Sequence, residues 1–376
     1  MSPDDTLERT ALNGLHVELG ARLVPFAGHE LPLHFTPGIL AEHRHTRSAA
    51  SLFDIGHMGL VRITGADPAG ALERVTPADV RGIRPGRQRY ALLVNEHGGI
   101  QDDIVILKGD DLLYVVVNAA RKASDLAFLK RHLAGAALVE EVRDLTLLAL
   151  QGPAALAALA PLCPAATELG FMEWTISSIL GHRALVTRSG YTGEDGFELA
   201  VPVAIAPLVA RKLLDQPGVL PAGLGARDSL RLEAGLSLYG HELDEQTTPV
   251  EAALEWTIGQ RRRQEGGFLG ADVVLRQLAQ GAPRRRVGLR LHGPAPARDG
   301  TPIVDAHGAE IGRVTSGGIG PTAGAPIALG YVATAHATPG TRVGLVVRGR
   351  VLDAEVTTLP FVPHRYVRRP PLAAAR

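Results

Sequence analysis

Tyr90-Ala91-Leu92-Leu93-Val94 and Ile100-Gln101-Asp102-Asp103-Ile104-Val105 flank the stretch Asn95-Glu96-His97-Gly98-Gly99. The first run is apolar and strand-like, and the connecting segment is polar and glycine-rich, which predicts a hairpin. Two adjacent carboxylates then fall inside the second strand. Side chains alternate faces along a strand, so Asp102 and Asp103 point opposite ways. One can meet water; the other then points inward, where a carboxylate is costly without a reason for it. The other reading is an edge strand with both acids solvated, and this stretch alone leaves both open.

Outward from the hairpin the pattern alternates. Leu60–Thr64 reads as a strand, and Asp67 to Leu72 as a helix entered through Asp-Pro, where proline is tolerated in the first turn. Leu112–Val117 is a strand ending on Asn118, and Ala120–Leu133 is a helix. This order predicts an α+β sandwich of split-βαβ type over residues 60–133. Earlier in the chain, residues 6–20 read as a helix, 22–36 as extended chain and 38–50 as a second helix. His43 and His45 stand two apart, cannot share a helix face as a metal pair would, and read as solvated surface.

Beyond the hairpin region, Asp144–Leu150 reads as a strand, 154–162 as a helix and 176–188 as two short strands. The glycine-rich stretch Arg188 to Leu199 carries neither phosphate-loop fingerprint and reads as a long connection between strands. Ala206–Leu214 is a helix with Pro207 in its first turn. In Gly223–Gly235, Arg227 and Arg231 share a helix face and repel unless acids answer them; Asp228 and Glu233 could serve. From about residue 285 the texture changes to short alternating strands: Val287–Leu291, Thr301–Val304, Glu310–Thr315, Ile327–Val332, Arg342–Val347 and Val351–Thr357. That is the pattern of a small all-β barrel or sandwich, with a domain boundary near 280.

The 376 residues suggest two or three domains. Hydrophobic residues at 45% and charged residues at 21% are globular values. Lys+Arg and Asp+Glu both number 39, so bulk charge gives no hold on nucleic acid. The tracts Arg261–Arg263 and Arg284–Arg286 read accordingly as solvated linker charge. Cys163 is the single cysteine, which excludes an internal disulfide and reads as an inert buried thiol. With the acidic start Met1-Ser2-Pro3-Asp4-Asp5, unlike a leader, it points to the cytoplasm. No apolar run approaches the roughly 20 residues that span a bilayer, so no membrane association is expected.

Several blocks stand in a telling order. Phe53-Asp54-Ile55-Gly56-His57-Met58, Asn95 to Val105, Gly190 to Glu198 and Gly223 to Glu233 are followed by Thr247-Thr248-Pro249-Val250-Glu251 and Val314-Thr315-Ser316-Gly317. Together they closely resemble the aminomethyltransferase family of the glycine cleavage system, the T-proteins, from about residue 8 to about 367. The resemblance implies an α+β, three-domain clover. Two intertwined α+β domains, one ferredoxin-like, fill residues 1–280, and a C-terminal β-barrel follows over 281–376, with a central folate site.

It also implies a reaction and partners. A lipoylated carrier, the H protein, presents S–CH2–NH3+, and tetrahydrofolate takes the carbon as 5,10-methylenetetrahydrofolate while ammonia and the dihydrolipoyl arm leave. No metal is implied. The family's critical acid falls on Asp103, which is then expected to be the inward-facing one of the pair, and its pterin-reading acid on Glu198. Arg227 matches another substrate-contact position; Tyr90, Asn118 and Tyr191 fall where the family lines its folate pocket, and Tyr366 matches a carboxy-terminal contact. Met58 reads equally as pocket wall or as core. His29, His34-Phe35 and Gly56 depart from the family's usual residues. The fold is also that of folate-dependent demethylases, which the retained Asp103 and the 247–251 block argue against. A third reading is a non-catalytic folate-binding accessory protein for iron–sulfur assembly, whose relatives carry a cysteine motif where this chain has only Cys163.

Overall fold

In the computed structural model, which describes residues 7–368, the hairpin forms from strands Gln88–Val94 and Ile100–Lys108. Leu92 stands opposite Asp103 and Leu93 opposite Asp102, with a bulge between Leu93 and Val94 at the turn. Asn95 closes that turn, its Oδ1 accepting the His97 and Gly99 amides at 3.0 Å each. Gly98 has φ +77°, and a Cβ on Gly99 would stand 1.9 Å from the Glu245 carbonyl oxygen. Only glycine fits there.

The hairpin belongs to a five-stranded sheet ordered 88–94, 100–108, 112–117, 59–64, 138–141, antiparallel throughout. Strand Gly59–Thr64 lies between Leu112–Val117 and Leu138–Glu141, which is the split arrangement expected, with Gln88–Val94 as a further edge strand. Helices Pro68–Leu72 and Lys122–Leu133 cover one face, packing Leu72, Phe128, Leu129 and Leu133 against Ile63, Leu93, Ile104, Ile106 and Val115. Each such side chain contributes about 1.5–3 kcal/mol by burial. Asp67 caps the first helix, its Oδ1 accepting the Gly70 amide at 2.8 Å.

The chain forms two units, each made of segments distant in sequence. One holds Met58–Val142 and Asp228–Pro363, so the five-stranded sheet and the carboxy-terminal strands belong together. Those strands close into a six-stranded barrel ordered 284–291, 325–333, 310–320, 302–304, 342–347, 350–357, around Leu289, Ile303, Val314 and Leu345. Closure leaves no open edge.

The arginine tracts are not solvated linkers. Arg261 pairs with Glu73 at 2.5 Å and Asp79 at 2.7 Å, and Arg262 is buried with its Nη2 on the Glu73 carbonyl. Arg284 and Arg285 pair with Glu251 and Glu255, and buried Arg286 donates to the Ala252 and Gly235 carbonyls. Their partners are remote in sequence, which local charge patterning cannot see. Arg231 takes Asp228 as expected, but its other acid is Glu242 at 2.9 Å; Glu233 instead accepts the Thr322 and Ala323 amides.

The second unit contains the chain up to His57, Arg143–Arg227 and the chain from His364. Its main sheet runs 174–179, 182–187, 196–202, 145–151, 50–54, 219–221, with only the last pair parallel. Cys163 is fully buried in its core beside Leu159 and Leu169. The helix expected over 6–20 is shorter, Asn13–Glu18, because Glu8–Arg9 pairs as a strand with His29–Glu30; Thr6 and Met1–Asp5 lie outside the described residues. The helix expected over 154–162 forms only at Ala155–Leu159. His43 is fully buried, contrary to a solvated reading. Helix Ile39–Ser48 turns a polar stripe inward because Glu42 accepts the Phe35 and Gly223 amides at 2.5 and 2.9 Å.

Candidate active site

The alternation of Asp102 and Asp103 has the consequence expected, with the burial assigned by the sheet. Asp102 shares a face with Ile104 and Ile106, beneath the helices, and is 0% exposed. Asp103 lies on the other face, partly buried, with Leu92 and Tyr90 across the strand pair. The fully inward acid is therefore Asp102, not Asp103 as expected; Asp103 is half-buried, because helix Lys122–Leu133 covers the face that holds Asp102. Asn118, at the end of strand Leu112–Val117, serves both. Its Nδ2 donates to Asp102 Oδ1 at 2.9 Å and to Asp103 Oδ1 at 2.8 Å, and its backbone N–H donates to Asp102 Oδ2 at 3.0 Å.

Burial is the main force on Asp103, and the neighbouring Asp102 adds to it; together they push its carboxyl up to about 7 against the bonds from Tyr90 and Asn118. Such a group is half-ionised at neutral pH, the condition under which a carboxyl moves protons best in either direction. Tyr90 is stacked on Trp256 with ring centroids 5.5 Å apart, and Trp256 keeps 64% of its surface exposed. Met58, in the same unit, is half-buried.

In the other unit the glycine-rich stretch also places an acid. Glu198 lies on strand Gly196–Pro202, where Ser189 Oγ donates to its Oε2 at 3.2 Å. Burial raises its carboxyl, opposed by the charge of Arg227. The Arg227 guanidinium lies over the Tyr191 ring at 4.7 Å. The loop holding Ser189 and Tyr191 is pinned from beneath. Gln151 donates to the Ser189 carbonyl at 3.0 Å and accepts from Thr192, and a Cβ on Gly190 would stand 1.8 Å from the Gln151 oxygen. Arg188 and Asp195 form a buried two-bond pair at 3.0 and 2.6 Å. Tyr366 stacks on Phe171 at 3.9 Å.

Asp103, Asn118 and Tyr90 are thus brought together in one unit, and Glu198, Arg227 and Tyr191 share the other; Tyr366, in that second unit, stacks on Phe171 next to Arg365, whose amide donates to the Gly193 carbonyl of the glycine-rich stretch at 2.8 Å. Sequence reasoning missed Asp125, Ser189 and Trp256. Only Asp125 left a trace, as the i+4 partner of Arg121 on a helix.

Family models cover most of the chain. Residues 12–262 match the GCVT N-terminal domain, and residues 284–363 the glycine cleavage T-protein C-terminal barrel domain. The chain belongs to the T-protein family, the aminomethyltransferases of the glycine cleavage system. Relatives within the family include the mitochondrial aminomethyltransferase of Dictyostelium discoideum, 42% identical over 97% of this chain and 95% of its own length. That of Gallus gallus is 44% identical over the same shares. The glycine cleavage aminomethyltransferase T of Bartonella henselae, a crystal structure, superposes with a TM-score of 0.92 at 41% identity over 96% of this chain and 100% of that one. These relatives favour neither a demethylase nor an iron–sulfur accessory role.

The departures from the T-protein pattern have local accounts. A Cβ at Gly56 would come within 2.5 Å of Thr146 Oγ1, so glycine suits the packing there. His29 bonds the Ala27 carbonyl at 2.9 Å through Nδ1 and reaches Glu8 at 3.2 Å through Nε2. His34 holds the Phe35 carbonyl at 2.8 Å, and Phe35 meets His16 edge-on at 6.0 Å.

Proposed function

We propose that this chain transfers the aminomethyl carbon of a lipoyl-borne S–CH2–NH3+ group, presented by the lipoylated H protein, to tetrahydrofolate in glycine cleavage. The C–S bond and the C–N bond to ammonia break, and two C–N bonds form to give 5,10-methylenetetrahydrofolate. Two N–H protons of the acceptor are displaced; in the balance one ends on the dihydrolipoyl sulfur and the other leaves with ammonia as ammonium.

The single observation carrying this reading is Asp103: half-buried, held by Asn118 and Tyr90, and poised to titrate near neutrality. A carboxyl of that kind takes a proton from an acceptor nitrogen and returns one to a departing group, assistance worth roughly 10²–10⁴-fold. Asn118 fixes its direction, so the carboxyl is aligned before substrate arrives. In this reading Glu198 accepts the adjacent ring N–H and exocyclic amine of the pterin edge, with Ser189 orienting it and the charge of Arg227 opposing the upward pull of burial. Tyr90, Asn118, Tyr191, Tyr366 and Met58 are folate contacts, and no step calls for a metal. The lone buried cysteine suits a reducing, cytoplasmic setting.

The test is ammonia release from an aminomethyl-loaded lipoyl carrier. Release that depends on tetrahydrofolate supports the reading. Equal release without it, or none with it, contradicts it.

A further inference from the structure

The glycine-rich stretch is also held by contacts that the reaction does not use. Arg47, on helix Ile39–Ser48, donates through Nη1 to Glu194 Oε1 at 3.0 Å and to the Thr192 carbonyl at 2.8 Å. The two side chains of this ion pair are buried, 7% and 0% exposed. Gly193, between the two residues that Arg47 holds, turns the chain at φ +78°. Its carbonyl accepts the Arg365 amide at 2.8 Å. The Arg365 guanidinium stands 3.6 Å from Glu194 Oε1 and donates to the Arg47 carbonyl at 3.1 Å. Glu194 Oε2 meets no donor among the described residues, so the carboxylate leans on the arginines at its other oxygen.

The sheet holds Glu198 without this clasp. Strand Gly196–Pro202 pairs along its length with Leu145–Gln151, and Thr187 stands opposite Glu198. Ser189, which donates to Glu198, and Tyr191, which lies under the Arg227 guanidinium, belong to the loop instead. Ordering a connection of this kind costs conformational entropy, and a fixed buried pair meets that cost before a ligand arrives.

We propose that the Arg47–Glu194 pair, backed by Arg365, is the clasp that keeps residues 189–195 in the shape in which Ser189 and Tyr191 serve Glu198 and Arg227. Arg47 and Glu194 are positioning residues for folate binding and take no part in the proton transfers. Loss of the clasp frees the loop, not the sheet. This inference rests on Glu198 reading the pterin, but part of its test does not.

The experiment compares the full chain with Glu194→Gln and with the double variant Arg47→Gln/Glu194→Gln. It reads tetrahydrofolate affinity, turnover, the urea midpoint and amide hydrogen exchange. Glu194→Gln keeps the shape and removes the charge. Its tetrahydrofolate affinity should fall about 10-fold, the worth of one hydrogen bond to a charged group. Turnover at saturating tetrahydrofolate should stay within about two-fold of wild type. Amides of residues 189–195 should exchange faster, while those of strand Leu145–Gln151 keep their protection.

The double variant leaves no buried charge without its partner, so its urea midpoint should recover from that of Glu194→Gln. Its affinity should stay low, because a neutral amide pair makes weaker bonds than the charged one. A pair that served only stability would return affinity together with the midpoint. The inference is overturned if the double variant binds tetrahydrofolate as tightly as wild type, or if exchange of residues 189–195 is unchanged in it; this variant decides even if Glu194→Gln fails to fold. It is equally overturned if turnover at saturation falls as far as affinity. If the wild type itself bound no tetrahydrofolate, the assigned reaction would fall, and loop exchange would still report on the clasp.

Discussion

The Asn118 side-chain amide donates to Asp103 Oδ1 at 2.8 Å, and the same nitrogen reaches Asp102 on the opposite face of the strand. One amide therefore aligns the half-buried acid and satisfies the fully buried one. Asn118→Ala removes a bond that favours the ionised form of Asp103. The acid limb of kcat/KM should move to higher pH, with a loss of stability of about 1–3 kcal/mol from the buried acceptor left behind. A pH–rate profile and a urea titration check the two parts.

Glu198 and Arg227 predict an effect on affinity. Glu198→Ala removes charge-assisted bonds worth roughly 1.5–3 kcal/mol, so tetrahydrofolate binding should weaken about 10- to 100-fold. Fluorescence titration of the folate measures this. A change in turnover with unchanged affinity would take Glu198 away from the pterin.

The raised carboxyl of Asp103 has a sign for stability. Its folded value, about 7, lies above the ordinary value of 3.8. The group therefore binds its proton more tightly when folded, and its contribution is greatest at low pH and lost as pH rises through 7. Asp103→Asn should stabilise the substrate-free protein at pH 8 by on the order of 1–3 kcal/mol, a gain that shrinks as pH falls toward about 5. Chemical denaturation at the two pH values tests the direction.

Gly99 packs against backbone with no side chain to move aside. Gly99→Ala should cost about 3 kcal/mol, read from the urea midpoint, by forcing the Glu245 segment away from the turn.

Much of this architecture is legible in the chain. The hairpin at 90–105 and the six barrel strands announce themselves through alternation and turn residues, and all of them form, though the strand expected to end at Thr315 runs on to Gly320. What escapes is long-range. Arg261 and Arg285 look like solvated charge until Glu73, Asp79 and Glu255 arrive from elsewhere. His43 looks exposed because nothing local reveals that Glu42 will draw its helix face inward. Alternation separates Asp102 from Asp103 but cannot say which is buried more deeply; the covering helix decides that, and it brings Asp125 with it.

The most direct measurement is turnover of Asp103→Asn with an aminomethyl-loaded lipoyl carrier and tetrahydrofolate, alongside folate binding by the same protein. Ammonia release should fall by about two orders of magnitude or more, while folate affinity stays within a few-fold of wild type. Turnover close to wild type would contradict the role given to Asp103.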